Sequence, residues 1–69
     1  MILTLERVTV PPASTIGFGV GLDEGGRRVR FAGDWHPLRD LGEALVEADE
    51  PIRVEVEAWQ VLSIEETGR

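Results

Sequence analysis

The clearest pattern of hydrophobic and polar positions lies in residues 15–22, where apolar side chains alternate with small residues. One face of this segment carries Ile16, Phe18, Val20 and Leu22. The other face carries Thr15, Gly17, Gly19 and Gly21. Alternation with a period of two is typical of a β-strand with one buried face. We therefore predict a strand whose apolar side chains lie in the core and whose glycines face outward.

Residues 2–10 predict another strand, with a change of phase in the middle. Leu3 and Leu5 share one parity, whereas Val8 and Val10 share the other. A β-bulge near residues 6 and 7 would return both pairs to the same face, because it inserts one extra residue. The prolines at positions 11 and 12 end the strand, since proline has no N–H to donate to a sheet.

A hairpin is predicted by the turn-forming residues 23–26 and the alternating residues 27–32 that follow them. Loops of two and of four residues both fit the sequence. Either loop places Gly19 and Gly21 on the same face as Arg28 and Arg30. Phe31 would then point into the core.

The remaining chain predicts one helix and a long final strand. Pro37 suits a first helical turn, and an apolar stripe follows at helical spacing. The stripe consists of Leu38, Leu41, Leu45 and Ala48. Gly42 costs a helix about 1 kcal/mol relative to Ala, which predicts close packing of another element there. Residues 52–65 then alternate as a strand, which a bend near Trp59 would divide into two, and residues 66–69 form a polar tail.

These elements predict one β-rich α+β domain over residues 1–69. Its order is a three-stranded antiparallel meander, one helix, and then one long bent strand or two short strands. Over residues 2–65 this layout resembles the OB-fold, whose helix commonly falls between strands three and four. The resemblance implies a partial or closed small barrel with an oligonucleotide-binding face. An open four-stranded sheet with the helix on one face is the alternative.

The small size of the chain favours self-association. A domain of 69 residues buries only about 60% of the surface that its unfolded chain exposes. Cysteine is absent and His36 is the only histidine, which excludes disulfides and the usual structural zinc sites. Oligomerisation is a common remedy for such small cores, and a symmetric homodimer is its simplest form.

The charge and composition of the chain disfavour several partners. Its net charge of −6 repels phosphate backbones, which argues against nucleic acid. No stretch approaches the roughly 20 apolar residues of a membrane span, and the N-terminus lacks the pattern of a signal peptide. We expect a cytoplasmic protein with no membrane partner. The absence of Lys and Asn suits a GC-rich genome and a thermophile.

The glycine row of residues 17, 19 and 21 is the first candidate site, because glycine weakens the middle of a strand. One explanation is structural: the strand coils to close a barrel, or a large side chain of the same chain lies across it. The other explanation is close approach by a partner chain or a flat ligand.

Arg28 and Arg30 border the glycine row, and Arg7 is a potential third member of this group. Pairing with Glu55 and Glu57 of the final strand would give them a structural role. A small phosphate-binding patch is the alternative.

Trp59 is predicted on the outward face of the final strand. It would stack on bases, anchor a protein interface, or cover the glycines as internal packing; the sequence leaves all three open.

Acid–base chemistry has one candidate cluster, which is His36 with Asp34 and Asp40. The chain has no second histidine, no cysteine and no recognisable nucleophile. The acidic residues of the helix lack the ligand spacing of a calcium loop. We therefore expect no enzyme activity, cofactor or metal.

The leading functional hypothesis is a non-enzymatic interaction module that self-associates as a homo-oligomer. Its expected contact surface consists of Gly17, Gly19, Gly21, Arg28, Arg30 and Trp59. The alternative is a single-stranded nucleic-acid binder of the OB type that uses Arg28, Arg30 and Trp59. A small enzyme ranks third.

Overall fold

Three strands, one helix and two further strands make up the computed structural model, which describes residues 1–57 and 59–65. The first strands are β1 (Ile2–Thr9), β2 (Ile16–Leu22) and β3 (Arg28–Asp34). The helix α1 spans Trp35–Glu47, and β4 (Arg53–Glu55) and β5 (Gln60–Glu65) follow it. The predicted division of the last strand into two short ones is confirmed. The predicted polar tail of residues 66–69 lies outside the described residues.

The strands form one antiparallel sheet with the order β4-β1-β2-β3-β5. The predicted meander of β1, β2 and β3 is confirmed. The sheet has five strands rather than four, because β4 pairs with β1 and β5 pairs with β3. Within the described residues the sheet is open, with β4 and β5 as its edges, so the predicted barrel is not confirmed. No helix in the described part of the chain is long and apolar enough to cross a bilayer.

The predicted bulge in β1 is confirmed. The pairing of β1 with β2 shifts between Leu5 and Arg7, so one extra residue is inserted there. Leu3 and Leu5 are buried, and Val8 and Val10 pack against the same core. The bulge therefore brings both apolar pairs of β1 to one face of the sheet.

Residues 23–27 lie between β2 and β3, and because Asp23 still pairs with Arg27, the hairpin loop itself has three residues, 24–26, rather than the two or four predicted. The Asp23 N–H donates to the Arg27 carbonyl over 3.0 Å, and the Gly26 N–H donates to the Asp23 carbonyl over 3.0 Å. Gly26 has a φ of +83°, which fits the left-handed residue that follows a type I turn in three-residue hairpin loops. An odd loop changes the register by one residue relative to an even one.

This change of register reverses the faces predicted for the hairpin, because side chains alternate along a strand. Gly19 opposes Phe31, and Val20 opposes Arg30. The prediction that the glycines share a face with Arg28 and Arg30 is therefore wrong. The prediction that the apolar row of β2 lies in the core is also wrong, since that row faces away from the helix.

The core lies on the face of the sheet that α1 covers. Its buried side chains are Leu3, Leu5, Val29, Phe31, Leu38, Val54 and Val56. Leu41 and Leu45 of the predicted helical stripe pack against them, whereas Ala48 is exposed beyond the helix end. A Cβ atom added at Gly42 would lie 3.5 Å from the Val8 Cβ, an ordinary van der Waals contact. β1 therefore packs against the helix at this position, but not so closely that glycine is required, and the predicted close packing is not confirmed.

Candidate interaction surface

The glycine row of β2 is buried, so it offers no free surface in this chain. A Cβ atom added at Gly19 would lie 2.7 Å from the Phe31 Cε2. At Gly17 it would lie 3.1 Å from the Leu38 Cβ, and at Gly21 it would lie 2.8 Å from a backbone oxygen of β1. The structural explanation of the row, a large side chain lying across it, therefore describes Gly19. The glycines let Phe31 and the helix approach the middle of the sheet.

Trp59 covers a glycine, but a different one. A Cβ atom added at Gly33 would lie 2.8 Å from the Trp59 Cγ. The Trp59 ring also stacks on Phe31, with centroids 5.1 Å apart and planes 2° from parallel. Trp59 is half-buried and packs against the core. Of the three roles that the sequence leaves open for Trp59, internal packing is the one this geometry describes.

The face of the sheet opposite α1 is the surface that the sequence prediction missed; we call it the outer face. The apolar row of β2 runs along its middle, since β2 is the central strand. Ile16 is 48% exposed and Phe18 is 42% exposed, whereas Val20 and Leu22 are half-buried. Leu62 of β5 is 50% exposed and lines the same face as Phe18. Exposed apolar side chains gathered on one face are typical of an interaction site.

Arginines flank this apolar row on both sides. Arg7 of β1 and Arg30 of β3 are the two cross-strand neighbours of Val20. With Thr9, Phe18 and Leu62 they line a shallow depression of about 330 Å³. The carboxylates of the described residues make no hydrogen bond or ion pair with Arg7.

Arg28 and Arg30 have acidic partners, but not the predicted ones. Arg28 Nε donates to Glu6 Oε1 over 3.3 Å, and Arg30 Nε lies 3.8 Å from Glu65 Oε2. The expected pairing with Glu55 and Glu57 is wrong, because the chain after α1 returns at the β4 edge, beyond β1, before β5 reaches β3. Such half-exposed pairs contribute about 0–1 kcal/mol, so they leave the arginines available to a partner.

No hydrogen bond or ion pair joins His36 to Asp34 or Asp40, the acid–base cluster predicted from the sequence, within the described residues. His36 is exposed at the start of α1 and contacts the Trp35 ring edge-on, with centroids 5.2 Å apart. Asp34 and Asp40 are also exposed. The described residues contain no group of three or more side chains that could hold a metal ion.

A scan of protein-family models, a search of curated proteins and a search of solved structures each gave no match for this chain.

Proposed function

We propose that this protein is a non-enzymatic interaction module that self-associates through the outer face of its sheet. The observation that carries the proposal is the solvent-facing apolar row on β2. It replaces the glycine row as the expected contact surface. Arg28 and Arg30 remain in that surface, and Trp59 leaves it.

Energetics favour covering this face. Full burial of a Phe, Ile or Leu side chain stabilises by about 1.5–3 kcal/mol. Ile16, Phe18 and Leu62 are each about half exposed, so a partner that covers them gains about 1 kcal/mol from each side chain. A second copy gains the same amount again, since an isologous interface uses the same patch twice.

Sedimentation velocity over a range of micromolar concentrations tests self-association. We expect a concentration-dependent shift from monomer to dimer. Phe18→Thr removes the aromatic side chain while keeping a residue that suits a strand, and it should leave only monomer. Val46→Ala is the matched control, because Val46 is 87% exposed on α1, away from the outer face. A wild-type protein that stays monomeric at high micromolar concentration would overturn the proposal.

Single-stranded nucleic-acid binding is the second candidate, and one observation favours it. Phe18 is an exposed aromatic ring beside Arg7 and Arg30, the combination that stacks on bases and holds phosphates. In OB-folds the binding face lies on strands two and three, and Phe18 and Arg30 lie on β2 and β3 of this sheet.

Titration of a fluorescently labelled oligonucleotide at low salt tests this second candidate. Trp59 lies on the opposite side of the sheet from Phe18, so the protein's own Trp59 fluorescence should change little on binding. No change in the anisotropy of the labelled oligonucleotide would exclude the candidate.

A further inference from the structure

Three cross-strand rows on the outer face place opposite charges at equal distances on the two sides of an apolar row. This arrangement favours one way of pairing two copies. The rows are Ile16 with Asp34, Phe18 with Ala32, and Val20 with Arg30. The middle row contains an aromatic and a small apolar side chain. Arg30 lies two residues to one side of it and Asp34 two residues to the other, each about 7 Å away along β3.

From these rows we infer that two copies pack outer face to outer face around a two-fold axis along the middle row. The inference rests on the proposed self-association and adds its geometry. The axis runs between the sheets, perpendicular to β2. It places Phe18 on the partner's Phe18 and Val20 on the partner's Ile16. It also places Arg30 opposite the partner's Asp34. Two ion pairs, related by the axis, therefore flank an apolar centre.

Repulsion between like charges disfavours two other positions of the two-fold axis. A two-fold axis along the row of Val20 would set Arg30 against the partner's Arg30. An axis parallel to β2 would set Arg7 against the partner's Arg30. Both arrangements bring like charges together, which disfavours association. Among these axes, only the one along the middle row pairs opposite charges.

Both charged groups are available for the pairing. Asp34 is exposed at the N-terminus of α1, yet its carboxylate makes no capping hydrogen bond and no ion pair within the described residues. The Arg30 side chain is 52% exposed, and its distance of 3.8 Å from Glu65 is longer than a direct hydrogen bond. Packed sheets cross at about 30°, an offset that the long Arg30 side chain can span.

The size of the face fits a weak dimer. The strands β1 to β5 have 8, 7, 7, 3 and 6 residues, and at about 3.3 Å per residue and about 4.8 Å between strands they make a face of roughly 500 Å². Standard interfaces bury about 800 Å² on each partner. We therefore expect dissociation constants in the micromolar range, where single substitutions have measurable effects.

A charge swap tests the arrangement by sedimentation equilibrium. Arg30→Asp and Asp34→Arg should each weaken the dimer about tenfold, because each replaces two attractive contacts with two repulsive ones. The double variant R30D/D34R should restore the wild-type dissociation constant to within about threefold. Far-UV circular dichroism checks that each variant is folded, which we expect because both side chains are exposed.

A cross-linking experiment tests the same axis without changing any charge. Thr9 is the β1 neighbour of Phe18 and is exposed, so it lies opposite the partner's Thr9 across the axis. Thr9→Cys in this cysteine-free chain should form a covalent dimer with a short bismaleimide, since packed sheets lie about 10 Å apart. Glu24→Cys, at the tip of the β2–β3 loop, should not.

The outcomes separate the two levels of the proposal. A monomeric wild type overturns both self-association and this axis. The axis alone is overturned if the wild type dimerises but the single substitutions leave the dissociation constant unchanged. The same holds if R30D/D34R does not restore the wild-type dissociation constant, or if Thr9→Cys gives no cross-linked dimer. That result would point to pairing at another surface, such as the exposed edge of β5. Recovery together with cross-linking supports the arrangement.

Discussion

Phe18 and Phe31 are the only phenylalanines of the chain, and they lie on neighbouring strands with opposite orientations. Phe31 is fully buried beneath Trp59, whereas Phe18 is 42% exposed. We expect Phe31→Ala to cost about 3–5 kcal/mol, enough to unfold a domain of this size. Phe18→Ala should cost the monomer only about 1 kcal/mol, because the ring is about half buried and Ala suits a strand less well than Phe.

Circular dichroism and urea unfolding at low protein concentration measure both effects without a contribution from association. A folded, stable F31A variant, or an F18A variant as damaged as F31A, would contradict the assignment of faces to the hairpin.

Position 19 requires glycine because the Phe31 ring lies across it. An added methyl group would collide with Phe31, and the Phe31 ring cannot move away because Trp59 stacks on it. We expect Gly19→Ala to destabilise the protein by about 1–3 kcal/mol, the usual cost of overpacking a core. Thermal unfolding should show a correspondingly lower Tm.

Gly25→Ala is the matched control for Gly19→Ala. Its added Cβ would lie 3.5 Å from Asp23 Oδ1, an ordinary contact. Ala in place of Gly at an unstrained position reduces the entropy of the unfolded chain. The Tm of G25A should therefore stay the same or rise slightly, and equal losses in G19A and G25A would show that the effect at Gly19 is not steric.

The β2–β3 hairpin is the element whose faces were predicted the wrong way round. The alternation of β2 was visible in the sequence, but both of its faces suit burial in different ways: one by apolar side chains, the other by glycines that admit a large ring. The loop length decides between them, because one residue more or less reverses the faces. The signal was available in Gly26, since Gly at that position suits a three-residue loop with a left-handed last residue.

Asp23 holds that loop in place, and its charge makes the hairpin sensitive to pH. Asp23 Oδ1 accepts hydrogen bonds from the backbone N–H groups of Arg27 and Gly25, over 2.8 Å and 2.9 Å. The Arg27 backbone bond, more than any other contact, holds the pKa of this carboxyl below its ordinary value of 3.8. The folded state thus favours the charged form. Its stabilisation is complete above the ordinary pKa and is lost as the pH falls below it.

Asp23→Asn tests this pH dependence, because Asn keeps an acceptor oxygen and loses the charge. Between pH 6 and pH 3 the wild type should lose more stability than D23N, measured by thermal unfolding at each pH. The other carboxyl groups titrate in both proteins, so the difference between the two curves isolates Asp23. Parallel curves would contradict the role of its charge.

At the scale of the whole molecule, local patterns predicted the elements better than their assembly. The bulge of β1, the stripe of α1 and the division of the last strand each follow from a few neighbouring residues. The pairing of β4 with β1 and of β5 with β3 joins segments far apart in the chain. Its consequence, that Arg30 approaches Glu65 and not Glu55, could not be read from alternation alone.

The response to salt separates the two candidate functions of the outer face. The protein carries a net charge of −6, so salt screens the repulsion between two copies. It also screens the two proposed pairs between Arg30 and the partner's Asp34. These effects oppose each other, and the apolar contact at Phe18 persists at high salt. We expect the dimer dissociation constant to change less than about threefold over a tenfold rise in salt.

An oligonucleotide held by Arg7, Arg28 and Arg30 would behave differently, because each phosphate contact releases counterions. Three such contacts on a single strand give a slope of about −2 in log affinity against log salt, which is about a 100-fold loss over the same range. Parallel salt series of dimerisation and oligonucleotide anisotropy measure both. A dimer dissociation constant that changes little with salt, together with no oligonucleotide binding, supports a module that binds a second copy of itself. Steep loss of oligonucleotide binding would instead assign the face to nucleic acid, because the arginines would then act on phosphates.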